Sequence, residues 1–269
     1  MGLGDEIMAS GEVRHLRFLY PNTKFIIGDG KRSYWSEIFD NNPYIIRGAH
    51  INKYQNVQWV YNYKGHRPYL KYDTEFENER YVWNQDHKAK KGEIYLTDYE
   101  INKAHEFINQ IKAQTKNKKI IYIEPNRKIV KGFENRDWGF EKWQILVDNL
   151  KNDYVFVQGT FGNQKKLMNV FNINGLSFRM ACAFIKHLDL FVGTEGGFHH
   201  AAAALDKNAV VIFGGFISPS VTGYDFHSNI YVDNNNSPCG KKFLCEHCVD
   251  CMKKISVESV INLINKNLS

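Results

Sequence analysis

Four short stretches of this chain hold residues of types and spacings that do chemistry. The first is Phe191-Val192-Gly193-Thr194-Glu195-Gly196-Gly197-Phe198-His199-His200-Ala201-Ala202-Ala203-Ala204-Leu205, where an apolar run breaks at glycines and an Ala-rich run follows. That pattern reads as a buried strand turning into a helix. The first helical turn leaves backbone N–H groups without partners, and together with the helix dipole they make a seat for a phosphate or diphosphate. A tight strand-to-helix turn also calls for glycines, so spacing alone supports both readings. Of the adjacent His199 and His200, one is expected at the surface. Zinc ligation by this pair is not expected, because two ligands on one helix face are four residues apart.

The second stretch is Gly2-Leu3-Gly4-Asp5-Glu6, with Asp5 between a glycine turn and a helix. A carboxylate there either caps the helix alone or also projects from the sheet edge as a base. A dinucleotide fingerprint does not fit, since its third glycine falls on Ile7. The third is Asn135-Arg136-Asp137-Trp138, where Arg136 either clamps a diphosphate or pairs with Asp137. The fourth is C-x5-C-x2-C-x2-C over the thirteen residues from Cys239 through Cys245 and Cys248 to Cys251. Thiols this close suit soft ligation of zinc or iron, with His247 as a substitute ligand, or else form an unligated loop. Disulfides are not expected in a reducing compartment, and Cys182, alone in a helix, reads as core.

These stretches need elements to position them. The chain has 269 residues, 43% hydrophobic and 24% charged, enough for one large domain or two small ones and unlike a disordered chain. Its net charge of +6 is spread out, with the densest spots at His87-Lys88-Ala89-Lys90-Lys91 and Lys116-Asn117-Lys118-Lys119. A nucleic-acid protein clusters such charge on one face, so no nucleic-acid partner is expected. There is neither a membrane-spanning run nor a secretory start, and a cytoplasmic location is expected.

In the first half, Glu6 to Tyr20 has helical spacing, Lys24–Gly28 reads as a strand, and Tyr34–Phe39 as a short helix; Gln55 to Trp83 is aromatic and irregular. From about residue 93 the pattern is clearer. Helices over Asp98–Gln114, Phe140–Leu150, Met180–His187 and Gly197–Leu205, and one capped by Ser256, alternate with strands at Lys119–Ile123, Tyr154–Gly159, Leu188–Gly193 and Ala209–Gly214. This is α/β with a parallel sheet covered on both faces. Ligands of such sheets sit beyond the carboxyl ends of the strands. That singles out the loops Gly2–Glu6, Glu124–Trp138, Gly193–His200 and Gly214–Tyr224.

The segment from Phe191 to Leu205 resembles the donor loop of the heptosyltransferase-like enzymes of glycosyltransferase family 9, which reads V-G-N-D-S-G-L-x-H-x-A-A-A-L. Asp5 stands where that family has its G-D turn, ahead of a helix and a pair like Tyr20-Pro21. Arg136-Asp137-Trp138 resembles its K-R-W-P element, and Phe213-Gly214 followed by Pro219 its F-G-x-x-x-P loop. The ending is similar too, with Pro238-Cys239, further cysteines and Ser256-Val257-Glu258. Three departures stand out: Glu195 replaces an aspartate, Gly139 replaces a proline, and no first strand precedes Gly4-Asp5, so either the N-terminal domain is reduced or the start lies upstream.

The resemblance implies the GT-B fold: two Rossmann-like domains, an acceptor-side domain at 1–92 and a donor domain at 93–269. It implies inverting transfer of a heptose-like sugar from a nucleotide-diphosphate donor to a saccharide or lipopolysaccharide-type acceptor. Asp5 is then the general base, and Arg136, Thr194, Glu195, Gly196, Gly197, His200, Asn126, Phe213 and Gly214 the donor contacts. No Asp-x-Asp pair exists to hold a divalent cation, so catalysis is expected to need no cofactor. A zinc or iron on Cys239, Cys245, Cys248 and Cys251, as in some branches of the family, would be structural. The expected location is the cytoplasm, with at most peripheral contact at the inner face of a bacterial inner membrane. The alternatives are a non-catalytic nucleotide- or metal-binding assembly protein and a sugar-nucleotide epimerase of the same fold.

Overall fold

The structure, a computed structural model, describes residues 2–62, 65–72, 79–125 and 133–269. The first element is α1 (Leu3–Leu19), which leads through Pro21-Asn22 into β1 (Lys24–Gly28). β2 (Val57–Tyr61) runs parallel to β1, and on the opposite edge of β1 Phe25 exchanges backbone hydrogen bonds with Tyr44 and Ile46. The N-terminal sheet is therefore small, with β1 at its centre. Tyr34–Phe39 forms less helix than its spacing suggests: one 3-10 turn at Glu37–Phe39, where the Ser36 hydroxyl accepts from the Ile38 N–H.

The C-terminal part alternates α2 (Asp98–Gln114), β3 (Ile120–Glu124), α3 (Phe140–Leu150), β4 (Val155–Thr160), β5 (Phe171–Asn174), α4 (Phe178–His187), β6 (Leu190–Thr194), α5 (Gly197–Ala204) and β7 (Ala209–Gly214). A short α6 (Pro219–Thr222), β8 (Ser228–Tyr231), α7 (Glu246–Lys254) and α8 (Val257–Leu268) complete it. Its six strands are all parallel, in the order β5-β4-β3-β6-β7-β8. The central strands are apolar on both faces because both are covered. Ile120 and Tyr122 pack toward α2 and α4, while Ile121 and Ile123 pack toward α3 and α8.

β5, β8 and α7 escape the sequence pattern. The strands are short, carry polar residues (Asn172 and Asn174 in β5, Ser228 and Asn229 in β8) and lie half-buried at the sheet edges, so no apolar run marks them. From β3 the chain winds outward to β5, then returns to place β6 against the other side of β3. The direction of winding reverses there, opening a crevice at the ends of β3 and β6, where Glu124 and Gly193 lie side by side.

Two contacts bring the N-terminal elements to that crevice. α1 packs against α5 with their starts together, so closely that a Cβ on Gly4 would lie 2.9 Å from His200 Cδ2 and 3.5 Å from Gly197 Cα. The buried Arg179, in the first turn of α4, donates to both oxygens of Glu100 (2.7 and 2.8 Å), to Tyr95 O (2.8 Å) and to Glu37 O (2.8 Å). It joins α2, α4 and the Glu37 turn in one knot. Arg179→Ala removes the donor to Tyr95 O and leaves the Glu100 carboxylate with only its Thr97 bonds, and is expected to cost about 1.5–3 kcal/mol. Urea unfolding at neutral pH measures that loss.

Candidate active site

A cavity of about 950 Å³ opens at the crevice. One wall comes from the N-terminal half, with Gly2 to Asp5, Arg67, Tyr69 and Trp83. The other comes from the sheet's carboxyl end, with Glu124, Thr160, Arg136, Thr194 to Gly197, His200 and Phe216.

Asp5 sits in the first turn of α1, three positions after the Gly2 cap, rather than ahead of the helix. Its Oδ2 accepts the Gly2 N–H at 3.0 Å and lies 3.4 Å from Arg67 Nη2. Its Oδ1 accepts a short hydrogen bond from the Tyr69 hydroxyl, and Asn62 Nδ2 holds its carbonyl at 2.8 Å. Burial, reinforced by the Asp5 charge, raises Tyr69 well above the usual phenol range, so it remains a protonated donor. Asn62, Arg67 and Tyr69 escaped the sequence reading because they lie in the irregular aromatic stretch, where no periodicity marks them.

Opposite, Thr194 ends β6 and the Glu195 N–H bonds Ile212 O at 2.9 Å, fixing the turn into α5. Arg136 Nη1 meets Glu195 Oε2 at 2.5 Å, and the guanidinium lies 5.0 Å from the centre of the Phe216 ring. Arg136 thus pairs with Glu195, a partner the sequence reading did not foresee, and Asp137 Oδ1 accepts the Gly139 N–H at 2.9 Å. Gly139 has φ +95°, which a proline ring cannot adopt, so a proline does not fit this entry into α3.

The expectation of one surface histidine fails: His199 and His200 are both buried. α1 covers the start of α5 from one side and the 218–224 segment from the other, which leaves no solvent face. His199 Nδ1 accepts the Gly196 N–H at 2.9 Å and its Nε2 donates to Thr222 O at 3.0 Å. Although Glu195, His199 and His200 stand close enough to share an ion, both nitrogens of His199 are thus committed to backbone. His200 Nδ1 lies 2.8 Å from the Tyr224 hydroxyl.

Phe213 packs in the core 5.5 Å from the His199 ring instead of lining the cavity. Gly214 turns at φ +66° against Met252, and Phe216, two residues on, faces the cavity in their place. Asn126 lies outside the described residues.

The cysteine loop abuts this site. One ligand atom each from Cys239, Cys245, Cys248 and His247 falls within a common 4.8 Å. Cys239 Sγ lies 3.1 Å from Cys248 Sγ and 3.6 Å from Cys245 Sγ. Cys251, expected as the fourth ligand, is buried outside that group, with its Sγ 3.4 Å from His247 Nε2 and 3.7 Å from Asn234 Nδ2. All five thiols are free. The Cys248 thiol donates to Cys239 and pulls the Cys239 thiol below its usual range. Three soft sulfurs and an imidazole suit zinc or iron. Cys182 is buried in α4, as expected for a core residue.

Two α/β units facing each other across a cavity, with a carboxylate on one wall and a glycine-rich helix start on the other, make up the GT-B class of sugar transferases. The profile of glycosyltransferase family 9 (heptosyltransferase) matches residues 59–253, and the chain belongs to that family; it is a glycosyltransferase. No curated protein sequence matches it.

Solved structures share the fold at low identity. A family 9 glycosyl transferase from Veillonella parvula DSM 2008 is 15% identical, with a TM-score of 0.69 over 100% of this chain and 95% of its own. The ADP-heptose lps heptosyltransferase II of E. coli is 15% identical, with a TM-score of 0.63 over 99% and 96%. The iron-containing dodecameric glycosyltransferase TibC of enterotoxigenic E. coli H10407 is 12% identical, with a TM-score of 0.62 over 99% and 74%.

Burial pushes His199, His200 and His227 below the usual imidazole range, His227 to about 3. The unfolded chain takes up these protons below about pH 6.5, while the folded chain does not. Their stabilisation is therefore complete above that pH and is lost as the pH falls below it, for His227 down to about pH 3. Between pH 6.5 and 5.5, His227 alone should cost about 1 kcal/mol. Thermal or urea unfolding across that interval checks it, and His227→Gln should flatten the slope.

Proposed function

We propose that this chain transfers a sugar with inversion from a nucleoside-diphosphate donor to a hydroxyl of a saccharide or glycolipid acceptor, with Asp5 as general base. One observation carries the reading: Asp5 and the start of α5 line the same cavity, side by side at its edge. The acceptor oxygen attacks the anomeric carbon from the Asp5 side and gives its proton to the carboxylate. The bond from that carbon to the diphosphate breaks, and its electron pair leaves with the phosphate oxygen. Attack and departure on opposite faces give inversion.

Tyr69, Arg67 and the Gly2 N–H hold the Asp5 carboxylate in place for that step. With no Asp-x-Asp pair in the sequence, the departing charge falls on the first-turn N–H groups of α5 from Gly197 onward, the Gly196 N–H being held by His199, and on Arg136. Thr194, Glu195 and His200 orient the donor. Glu195 neutralises Arg136 until the diphosphate takes that guanidinium over. The donor is an ADP-sugar of the heptose type, as named for the E. coli heptosyltransferase II of the same fold.

Cys239, Cys245, Cys248 and His247 hold a structural zinc or iron that cross-links their loop; the iron named for TibC supports this reading. No described helix is long and apolar enough to cross a membrane. A cytoplasmic enzyme touching the inner membrane peripherally fits a glycolipid acceptor.

The test is calorimetric titration with ADP, UDP, GDP and CMP, followed by turnover with the sugar donor of the base that binds. One diphosphate should bind at micromolar concentration, and Arg136→Ala should weaken it about ten- to a hundredfold, as loss of a charge-assisted bond does. Asp5→Ala should lower kcat about 10²–10⁴-fold while donor binding is kept. Full turnover by Asp5→Ala would remove the base from Asp5. A protein that binds no diphosphate but is loaded with metal would point to the assembly role instead.

A further inference from the structure

The cysteine loop and the diphosphate clamp meet at one side chain. Asn135 is fully buried, and all of its described bonds go to the cysteine loop. Its Nδ2 donates to Lys241 O and Phe243 O, both at 2.8 Å, and its Oδ1 accepts the Cys245 N–H at 2.8 Å. The next residue is Arg136. The same loop also holds the platform under that arginine: Cys239 N–H bonds Gly215 O at 3.0 Å and Gly240 N–H bonds Phe216 O at 3.1 Å. The guanidinium lies against that Phe216 ring. Thus the loop that bears the thiols fixes both the residue preceding the clamp and the ring beneath it.

We propose that the cysteine site and the diphosphate site are energetically coupled through Asn135, so that metal on the thiols tightens the diphosphate and the diphosphate retains the metal. This rests on the readings of Arg136 as the clamp and of the thiols as a metal site. Without an ion, the loop between Cys239 and Cys245 is closed by weak thiol contacts and a few backbone bonds. An ion shared by Cys239, Cys245, Cys248 and His247 removes the freedom of that loop. The carbonyls of Lys241 and Phe243 and the N–H of Cys245 then stay where Asn135 needs them. Arg136 meets the diphosphate already placed, and the ordering cost of binding falls. Asn135 acts as a positioning residue: it touches neither substrate nor ion, and it carries the coupling between them. Linkage makes the effect reciprocal and equal in both directions, and couplings of this kind are typically about 5–150-fold.

The experiment uses the full chain loaded with zinc, with ADP as the probe, or whichever diphosphate the titration panel selects. ADP affinity is measured before and after zinc is chelated, and zinc affinity by chelator competition with and without ADP. In the wild type, chelation should weaken ADP about tenfold and ADP should tighten zinc by the same factor. Asn135→Ala should weaken ADP by a similar factor in the zinc form, and chelation should then add little. Asn135→Asp, which keeps the shape but loses the two donated bonds, serves as the second variant should the alanine protein not fold.

A purely structural Asn135 would lower the melting temperature while leaving the chelation effect intact, and that result overturns the proposal. Independent effects of zinc and ADP, each binding well, also overturn it while leaving both underlying readings standing. Failure of every diphosphate to bind the wild type removes the clamp reading, and failure of zinc to bind removes the metal reading; the coupling falls with either.

Discussion

The abutment of two helix starts is the constraint on which the site depends. α1 and α5 come together at Gly4 and Gly197, and a single Cβ at Gly4 would collide with the His200 ring. Both helices begin at the cavity, so both direct unpaired N–H groups and the positive end of a dipole toward it. One start carries its own carboxylate: Asp5 uses the Gly2 N–H and the Arg67 guanidinium as local partners. The other carries no charge on its first residues, Gly197 and Phe198, and remains a site for an anion from outside. Two otherwise similar helix ends therefore differ: one is occupied by its own carboxylate and the other is not.

Around that contact, charged groups are buried in pairs that cross between elements. Arg179 with Glu100 ties α4 to α2 and to the Glu37 turn, Arg136 with Glu195 bridges the loop before α3 to the loop after β6, and Arg67 meets Asp5. Each ion has its partner, which keeps the desolvation cost tolerable. The last two pairs line the cavity and the first does not. That separates a structural knot from groups available to exchange partners with a ligand. The histidines follow the same economy: His199 is held neutral between two backbone groups and fixes the Gly196 turn instead of binding an ion.

What was legible in the sequence follows from local rules. Fully buried parallel strands must be apolar throughout, so β3, β4, β6 and β7 stood out, each within two residues of its observed ends. Glycines before an Ala-rich helix marked the turn from β6 into α5, and capping residues such as Thr97 and Ser256 marked helix starts. These signals lie within one or two turns of chain, where spacing and composition have direct physical meaning. The resemblance of the donor loop to family 9 rests on the same local residues.

Everything that required two distant segments to meet was decided only by the tertiary structure. Arg67 and Tyr69 reach Asp5 across more than sixty positions, and Arg136 reaches Glu195 across fifty-nine. No periodicity encodes such separations. Both histidines are buried because α1 and the 218–224 segment close over α5 from opposite sides, a fact about packing and not about helix phase. The thiol cluster likewise takes in His247 in place of Cys251, because α7 carries the Cys251 thiol away from the other three while His247 stays beside them. The sequence by itself determined which elements form and which of their ends carry chemistry. The fold determined which ends face one another, because burial and pairing depend on neighbours in space that a linear pattern does not contain.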